Sequence, residues 1–509
     1  MARVIDGSQD YDFPVVIGSN MQRSAAADSS YAQNWYPFYD EEKQIWAQYF
    51  FSGSQRLFNF DVGANPYYGR ARGAISVGDT AYCVLGNRVF KLNSILTPIV
   101  IGTINTVVGT VSMCIGSKYV MIVDGTAGWA YDIPNDDWQQ ITDPQFPTAP
   151  GWCCEQSGYF IVGNTGTQEV FQNIEVGDPF KWDELTRFQA NFKSSYLAYP
   201  CVAGESINGR LFIFNKGFIE VYLNEGKVGI TFRRDNNLIF GYGLLSLGAL
   251  VKGTGGSYGD PIPEFLIFVC ETPDGNRHIM KTSGEPPRKI STASIDWRLN
   301  QLKNPEDCVG FSWTENGQTF VHFNFTLDKV TIVLNVTNKR FFDLRYNGNN
   351  RHFTQTFFSF QGKKLMLSYL DSGLYEMSEN YLTNSGTPIE RIITTDNFRA
   401  PGYKNITGNH LELYFQQGVG LPGEIDPNAP HFKNGANPQI FLYISKDGGQ
   451  TFGEPMEASL GPLADTTFTT RFMALGTQKD WTFRIKTYAP VPVFLMGANF
   501  NYTVCPGSG

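Results

Sequence analysis

The stretch SKDGGQTF, Ser445 to Phe452, sets a hydroxyl, a carboxylate, two glycines, a second hydroxyl and an aromatic ring at fixed spacing. A carboxylate in such a setting raises the question of glycan hydrolysis. On an acidic sugar that chemistry calls for convergent arginines to clamp the substrate carboxylate and for a nucleophile or base paired with an acid across the scissile bond. Arginine pairs occur at Arg70/Arg72 and Arg233/Arg234, and the chain has 25 Tyr, but no spacing selects three convergent arginines. There is no H-E-x-x-H and no G-x-x-x-x-G-K-[ST], so metalloprotease and P-loop chemistry lack a motif.

The pattern resembles the Asp-box of sialidases and other β-propeller glycosidases, where such boxes lie away from the catalytic pocket. The physics is that of a turn. Asp447 can accept hydrogen bonds from backbone N–H groups of its own loop, Gly448 and Gly449 permit positive φ, and Phe452 is expected to begin the next strand as a buried aromatic. Ser445, Asp447, Gly449, Thr451 and Phe452 are therefore expected to form a structural turn, with no catalytic residue assigned. An echo, Glu315-Asn316-Gly317-Gln318-Thr319-Phe320, repeats the GQTF tail at another strand start.

Other residues capable of chemistry are isolated. The eight cysteines include no C-x-x-C pair, and buried free thiols are expected. The five histidines show no zinc spacing, so neither a metal nor a cofactor is expected. Asp124, in VDGT, and Asp274, in PDGN, read as hairpin-turn residues. Trp35 and Trp182 read as packing residues, and His322, in FVHFNF, as one face of a strand.

The elements that hold these residues follow one grammar: a polar turn with Gly, an apolar strand, a second turn, another strand. It runs from SVGDTAYCVLGNRVFKLNS (Ser76 to Ser94) through CIGSKYVMIVDGTAGWAYDI, EQSGYFIVGNTGTQEVFQN and SINGRLFIFNKGFIEVYLNEG to PEFLIFVCETPDGNRHIMKTS, ENGQTFVHFNFTLDKVTIVLN and FQGKKLMLSYLDSGLYEMS. The turns Gly-Asn, Asp-Gly, Asn-Lys-Gly and Asp-Ser-Gly are expected to supply positive φ. Gly78, Gly116, Gly158, Gly209, Gly317 and Gly362 open six of these hairpins, mostly about 40 to 50 residues apart where consecutive, the period of one four-stranded propeller blade. The fold class is all-β, a β-propeller of six or seven blades with an additional C-terminal β-sandwich. Residues 1–60 form an N-terminal strand and extension closing or flanking the propeller, 61–385 the repeat body, and 386–509 the sandwich carrying the Asp-box. A string of β-sandwich domains is the alternative.

Composition agrees with β structure: 15% aromatic, only 17% charged and 52 Gly among 509 residues. Lys+Arg 40 against Asp+Glu 48 leaves a net charge of -8, which disfavours tight general binding to a nucleic-acid backbone. The N-terminus MARVIDGSQDYDF lacks the basic and apolar segments of a signal peptide, so cytoplasmic synthesis is expected. The uncharged window Leu92 to Ser117 is broken by Asn, Pro and Gly into short strands and does not read as a membrane span. The long loop from Gly418 to Pro438 reads as an interaction element or a mobile one.

In order along the chain, SSYAQNWYPFYDEE, YYGRARGAISVGDTAYCVLGNRVFKL, GTVSMCIGSKYVMIVDGTAGWAYD, VGDPFKWDELTRFQA, INGRLFIFNKGFIEVYLNEG, PPRKISTASIDWRL and RFMALGTQKDWTFRIKTYAPVPVFLMGANF resemble the tail-hub or nozzle proteins of short-tailed bacteriophages, also called packaged-DNA stabilisation proteins. The Gly418 to Pro438 loop is a departure. The resemblance implies a virion protein of the short tail, made in the host bacterial cytoplasm. It would form a homohexameric ring below the portal-adaptor protein, prolong the DNA channel, retain the packaged genome, and carry tail spikes or fibres and a needle or plug. Genomic DNA would pass without sequence-specific binding, along a lumen of acidic and neutral groups. The alternative reading is a sialidase-like propeller glycoside hydrolase acting on host glycans, and a third makes the propeller a receptor binder.

Overall fold

Short apolar runs punctuated by Gly and Asn cannot bury both faces as isolated hairpins, so their stability depends on stacking sheets against one another. In the computed structural model, which describes residues 8–505 apart from 26, 41, 61–68, 183–187, 190–198, 227–230, 255–263, 347, 420–437 and 466, they stack as seven antiparallel sheets. Six come from consecutive stretches, 71–103, 112–140, 150–189, 201–240, 243–289 and 308–343. The seventh combines Thr354–Phe360, Lys363–Ser368 and Gly373–Ser378 with Gly53–Asn59 from the N-terminal part of the chain. The first strand of blade 7, Thr354–Phe360, lies against the first strand of blade 1, Ala71–Val77, and this closes the ring. The blade number is therefore seven.

Hydrogen bonds and an ion pair stitch neighbouring blades together. Ser76 Oγ donates to Ser359 O at 2.6 Å (blades 1 and 7), and Gln156 Nε2 donates to Gly209 O at 2.7 Å (blades 3 and 4). Ser312 Oγ donates to Lys252 O at 2.8 Å (blades 6 and 5), and Lys364 pairs with buried Glu315 at 2.5 Å (blades 7 and 6). Between them lie large apolar side chains, each contributing about 1.5–3 kcal/mol on full burial. Trp152 is among the most enclosed: a Cβ built on Gly163 of its own blade or on Gly204 of blade 4 would collide with its indole.

The turn glycines divide into two kinds. Gly86 and Gly125 have φ of 55° and 89°, as the sequence predicts. Gly217 and Gly373 do not take positive φ; a side chain at Gly217 would strike the Tyr199 ring, and one at Gly373 would meet Tyr375 and Asp371. Gly116 is likewise needed for space, since the Phe160 ring of blade 3 occupies the position of its missing Cβ.

Strands from 8–50 and 391–504 build two further sheets that share one core. One contains Trp35–Asp40, Ile45–Phe50, Leu495–Val504, Ile406–Phe415 and Thr470–Gln478, with Ser8–Asp12 also paired to Leu495–Val504. The other runs from Tyr31–Gln33 through Arg391–Thr394, Asp480–Thr487 and Gln439–Ser445 to Met456–Ser459. Trp35, Leu411, Trp481, Phe483 and Phe500 fill the space between them. This second sheet is continuous with blade 6, because Tyr31–Gln33 lies parallel beside Arg340–Asp343. Among the described residues the one α-helix is Ala293–Gln301, capped by Thr292, whose hydroxyl accepts from Ile295 N. No helix among them is long and apolar enough to cross a membrane. Most of the Gly418 to Pro438 loop lies outside the described residues.

Candidate functional site

Ser445 ends the strand Gln439–Ser445, and the turn after it is built around one carboxylate. Asp447 Oδ1 accepts from Gln450 N at 3.0 Å and Thr451 N at 2.9 Å, while Oδ2 accepts from the Thr451 hydroxyl at 2.5 Å. Ser445 Oγ donates to Asp447 Oδ1 at 2.6 Å and accepts from Gly449 N at 2.9 Å. Gly448 and Gly449 have φ of 71° and 91°. Hydrogen bonds from the Ser445 hydroxyl first, then from Thr451, favour the ionised form and lower the Asp447 pKa to about 2. A carboxylate held so firmly as an anion is a poor general acid at neutral pH.

Phe452 departs from expectation. It does not begin the next strand, which starts at Met456, and it is half-buried. Its ring instead lies under the Arg484 guanidinium, 3.7 Å from the ring centroid, so a cation–π contact holds it at the surface of the sheet. Gly449 abuts Ser29, whose hydroxyl donates to Thr395 O at 2.8 Å, so the turn is anchored to the N-terminal segment.

The candidate arginines do not converge. Arg233 pairs with Glu225 and Arg234 with Glu220 in blade 4, whereas Arg70 and Arg72 belong to blade 1. Arg72 is spent on carbonyls, donating to Thr106 O and Gly109 O at 2.6 Å and to Val108 O at 2.8 Å, and it holds the connector between blades 1 and 2 in place. Asp124 completes that connector by accepting from Thr106 N at 2.9 Å and from Thr126 N at 2.9 Å. Asp274 sits in an exposed turn, and Trp35 and Trp182 are buried. Seven cysteines are buried free thiols, while Cys505 is half-buried.

Two histidines come together that the sequence does not link. His322 in blade 6 and His352 before blade 7 have ring centroids 6.0 Å apart inside an aromatic cluster with Phe51, Phe311 and Trp313. Burial holds both neutral: His322 titrates well below its ordinary value, and His352 is pushed down to about 3, Arg351 adding to the effect. His352 Nδ1 and the Thr354 hydroxyl are 2.9 Å apart. No group of three His, Cys, Asp or Glu capable of holding a metal occurs among the described residues. GGSYG at 255–259 matches the Gly-x-Ser-x-Gly spacing of a nucleophile elbow. It connects two paired antiparallel strands, Leu250–Gly253 and Phe265–Glu271, where an elbow requires a strand followed by a helix, and residues 255–263 lie outside the described ones.

A cavity of about 810 Å³ opens between blades 1, 6 and 7, lined among the described residues by Arg70, Arg88, Val107, Val108, Asp307 and Gln355 with others.

Residues 12–367 match the family model described as "Bacteriophage P22 Gp10, beta-propeller". A search among curated proteins finds no match. Similar solved structures include the N-terminal domain of Nup159, at 10% identity and TM-score 0.39, covering 69% of this chain and 99% of that one. BamB from Moraxella catarrhalis is 10% identical with TM-score 0.34, over 59% of this chain and 80% of that one. The Cps50 (Swd1) β-propeller domain of Myceliophteria thermophila is 8% identical with TM-score 0.38, over 64% of this chain and 99% of that one.

Proposed function

Because the chain belongs to the bacteriophage P22 Gp10 β-propeller family of phage structural, DNA-stabilising proteins, we propose that it forms the hub or nozzle ring of a short phage tail. In this reading six copies close a ring below the portal-adaptor, extend the DNA channel, and anchor tail spikes or fibres and a needle or plug. Ring closure requires heterologous contacts related by rotation. The family match over 12–367 carries the proposal. The net charge of -8 supports a lumen that lets DNA slide, since acidic and neutral walls repel phosphate. The propeller repeat body is taken as 61–385, closed or flanked by 1–60. Residues 386–509 are taken as an added sandwich, and the Asp447 turn within it as structural.

Immunogold negative-stain microscopy of the source phage, with antibody against the purified chain, tests this. Gold on the short tail between head and tip is expected; particles with accessible tails and no label would sink the reading. Turnover of a fluorogenic sialoside by the purified chain would instead favour the glycosidase alternative.

A further inference from the structure

Alternate residues of paired strands share one face, and in the hairpin of Trp35–Asp40 and Ile45–Phe50 the register sets Tyr36 opposite Tyr49, Phe38 opposite Ala47 and Asp40 opposite Ile45. All six line a groove of about 540 Å³. Asn316 of blade 6 and Glu379, which follows the blade 7 strand Gly373–Ser378, line it as well, together with Gln416, Phe494 and Met496 of the second body. The groove therefore lies at the joint between the propeller and the second body, and such joints are a preferred place for ligand sites.

The rings in the groove are packed on one another. Phe38 stacks on Tyr49, with centroids 4.4 Å apart and planes 16° from parallel, and Phe494 meets Tyr49 edge-on at 4.7 Å. All three are only partly buried. Ile45 and Met496, 51% and 50% exposed, add aliphatic surface beside them. The face of an aromatic ring is negative and attracts cations, guanidinium above all because it also stacks. This molecule makes that contact repeatedly: the Arg484 guanidinium lies 3.7 Å from the Phe452 centroid, and that of Arg351 lies 3.4 Å from the Tyr369 centroid. On the other face of the same hairpin, Arg340 of blade 6 lies 5.5 Å over Trp46.

The charges of the groove have the sign that a cation requires. Its lining among the described residues holds two carboxylates, Asp40 and Glu379, against one amine, Lys43. Burial first, and then the charges of Asp40 and Glu379, raise the Tyr49 pKa, so both carboxylates stand close to that ring. Asp40 Oδ1 accepts from Glu42 N at 3.1 Å and from Lys43 N at 3.0 Å, which fixes its carboxylate at the hairpin turn. Neighbouring ions do not alter the balance, because Glu315 is paired with Lys364 at 2.5 Å and Glu376 with Lys363 at 3.3 Å.

We infer that this groove binds an arginine-bearing segment of a partner protein. The guanidinium would lie against the Phe38, Tyr49 and Phe494 rings between Asp40 and Glu379, and flanking aliphatic side chains would lie on Ile45 and Met496. The inference does not rest on the ring reading, because it concerns one purified chain.

The test is fluorescence anisotropy of the full chain with a labelled pentapeptide, Ser-Val-Arg-Val-Ser, beside the same peptide carrying citrulline for Arg. The Arg peptide should saturate with a Kd below about 1 mM. Citrulline keeps the shape and loses the charge, and should weaken binding by about tenfold or more. Asp40→Asn/Glu379→Gln, in which asparagine keeps an acceptor for the turn, should weaken the Arg peptide to a similar degree at unchanged melting temperature. Tyr49→Leu leaves every charge in place and should weaken it by about two- to fivefold. Should either variant fail to fold, Glu379→Gln alone changes one exposed side chain and should still weaken binding. Asp274→Asn removes one charge from the exposed turn of blade 5 and should bind as the parent does. Absence of saturable binding, equal binding of the citrulline peptide, groove variants that bind as the parent, or an equal loss in Asp274→Asn would each overturn the site.

Discussion

Arg298 and Asp343 meet through two parallel hydrogen bonds, Nη1 to Oδ1 at 2.9 Å and Nη2 to Oδ2 at 2.6 Å. Both side chains are largely buried, at 13% and 4% exposure, and the pair ties the helix Ala293–Gln301 to the strand of blade 6 that receives Tyr31–Gln33. It therefore sits where the propeller passes into the second body. Arg298→Ala alone should cost about 3–5 kcal/mol, because Asp343 is left charged and unpaired. Arg298→Met combined with Asp343→Leu should cost much less. Urea unfolding of the three proteins checks this, and equal losses for the single and double variants would contradict it.

The histidine pair predicts acid sensitivity. Both folded-state pKa values lie below the ordinary value of 6.5, so the neutral forms contribute stability in full above about pH 6.5. That contribution falls as pH drops from 6.5 toward the folded value, about 3 for His352. Melting temperature against pH should decline over that window, and His322→Phe should flatten the decline. An identical profile for the variant would refute the assignment.

Asp447 has the opposite kind of neighbours but titrates in the same sense. Its folded pKa of about 2 lies below the ordinary aspartate value of 3.8, so its contribution is present above 3.8 and lost as pH falls through about 2. Asp447→Ala should destabilise the protein by about 1–2 kcal/mol through the loss of its turn hydrogen bonds. Hydrogen exchange should show Gln450 and Thr451 amides opening first. Unchanged protection at those amides would remove the structural role.

Trp152 and Gly204 give a steric test. A methyl at Gly204 collides with the indole, so Gly204→Ala should cost about 1–3 kcal/mol by overpacking. Trp152→Phe in the same chain should recover part of the loss. Additive losses in the double variant would show that the two residues do not share the space.

Removal of Gly53–Asn59 tests ring closure. Without that strand, Gly373–Ser378 becomes an uncovered edge of blade 7, and the truncated protein should lose its cooperative thermal transition and self-associate. A monomer with an unchanged melting curve would show that the propeller closes without it.

Sequence pattern carried the propeller well, because each blade repeats a local hairpin whose turn residues and two-residue alternation are visible in one stretch. Trp35, Trp182 and His322 are buried where their apolar neighbours imply. What pattern could not carry was any pairing between distant segments. Nothing in the residues of Gly53–Asn59 names Gly373–Ser378 as its partner, which follows more than 310 residues later. Gly116 looks like a turn glycine and is needed for the Phe160 ring of the next blade. Phe452 reads as the start of a strand because Arg484, which holds it, lies in a different strand. Arg70 and Arg88, likewise, come to line one cavity with Asp307 and Gln355 only when blades 1, 6 and 7 meet.

The joining of early and late strands imposes an order on biosynthesis. Gly53–Asn59 leaves the ribosome long before Gly373–Ser378, and Ser8–Asp12 before Leu495–Val504. At about 5–20 residues per second the first interval alone lasts on the order of tens of seconds. During it the nascent chain displays hairpin edges with no partner, and the ring cannot close before Ser378 has been made. The pairing of Ser8–Asp12 with Leu495–Val504 waits longer still, so translation products that stop before Gly373 lack the strand that completes blade 7, and those that stop before Leu495 lack a central strand of the second body.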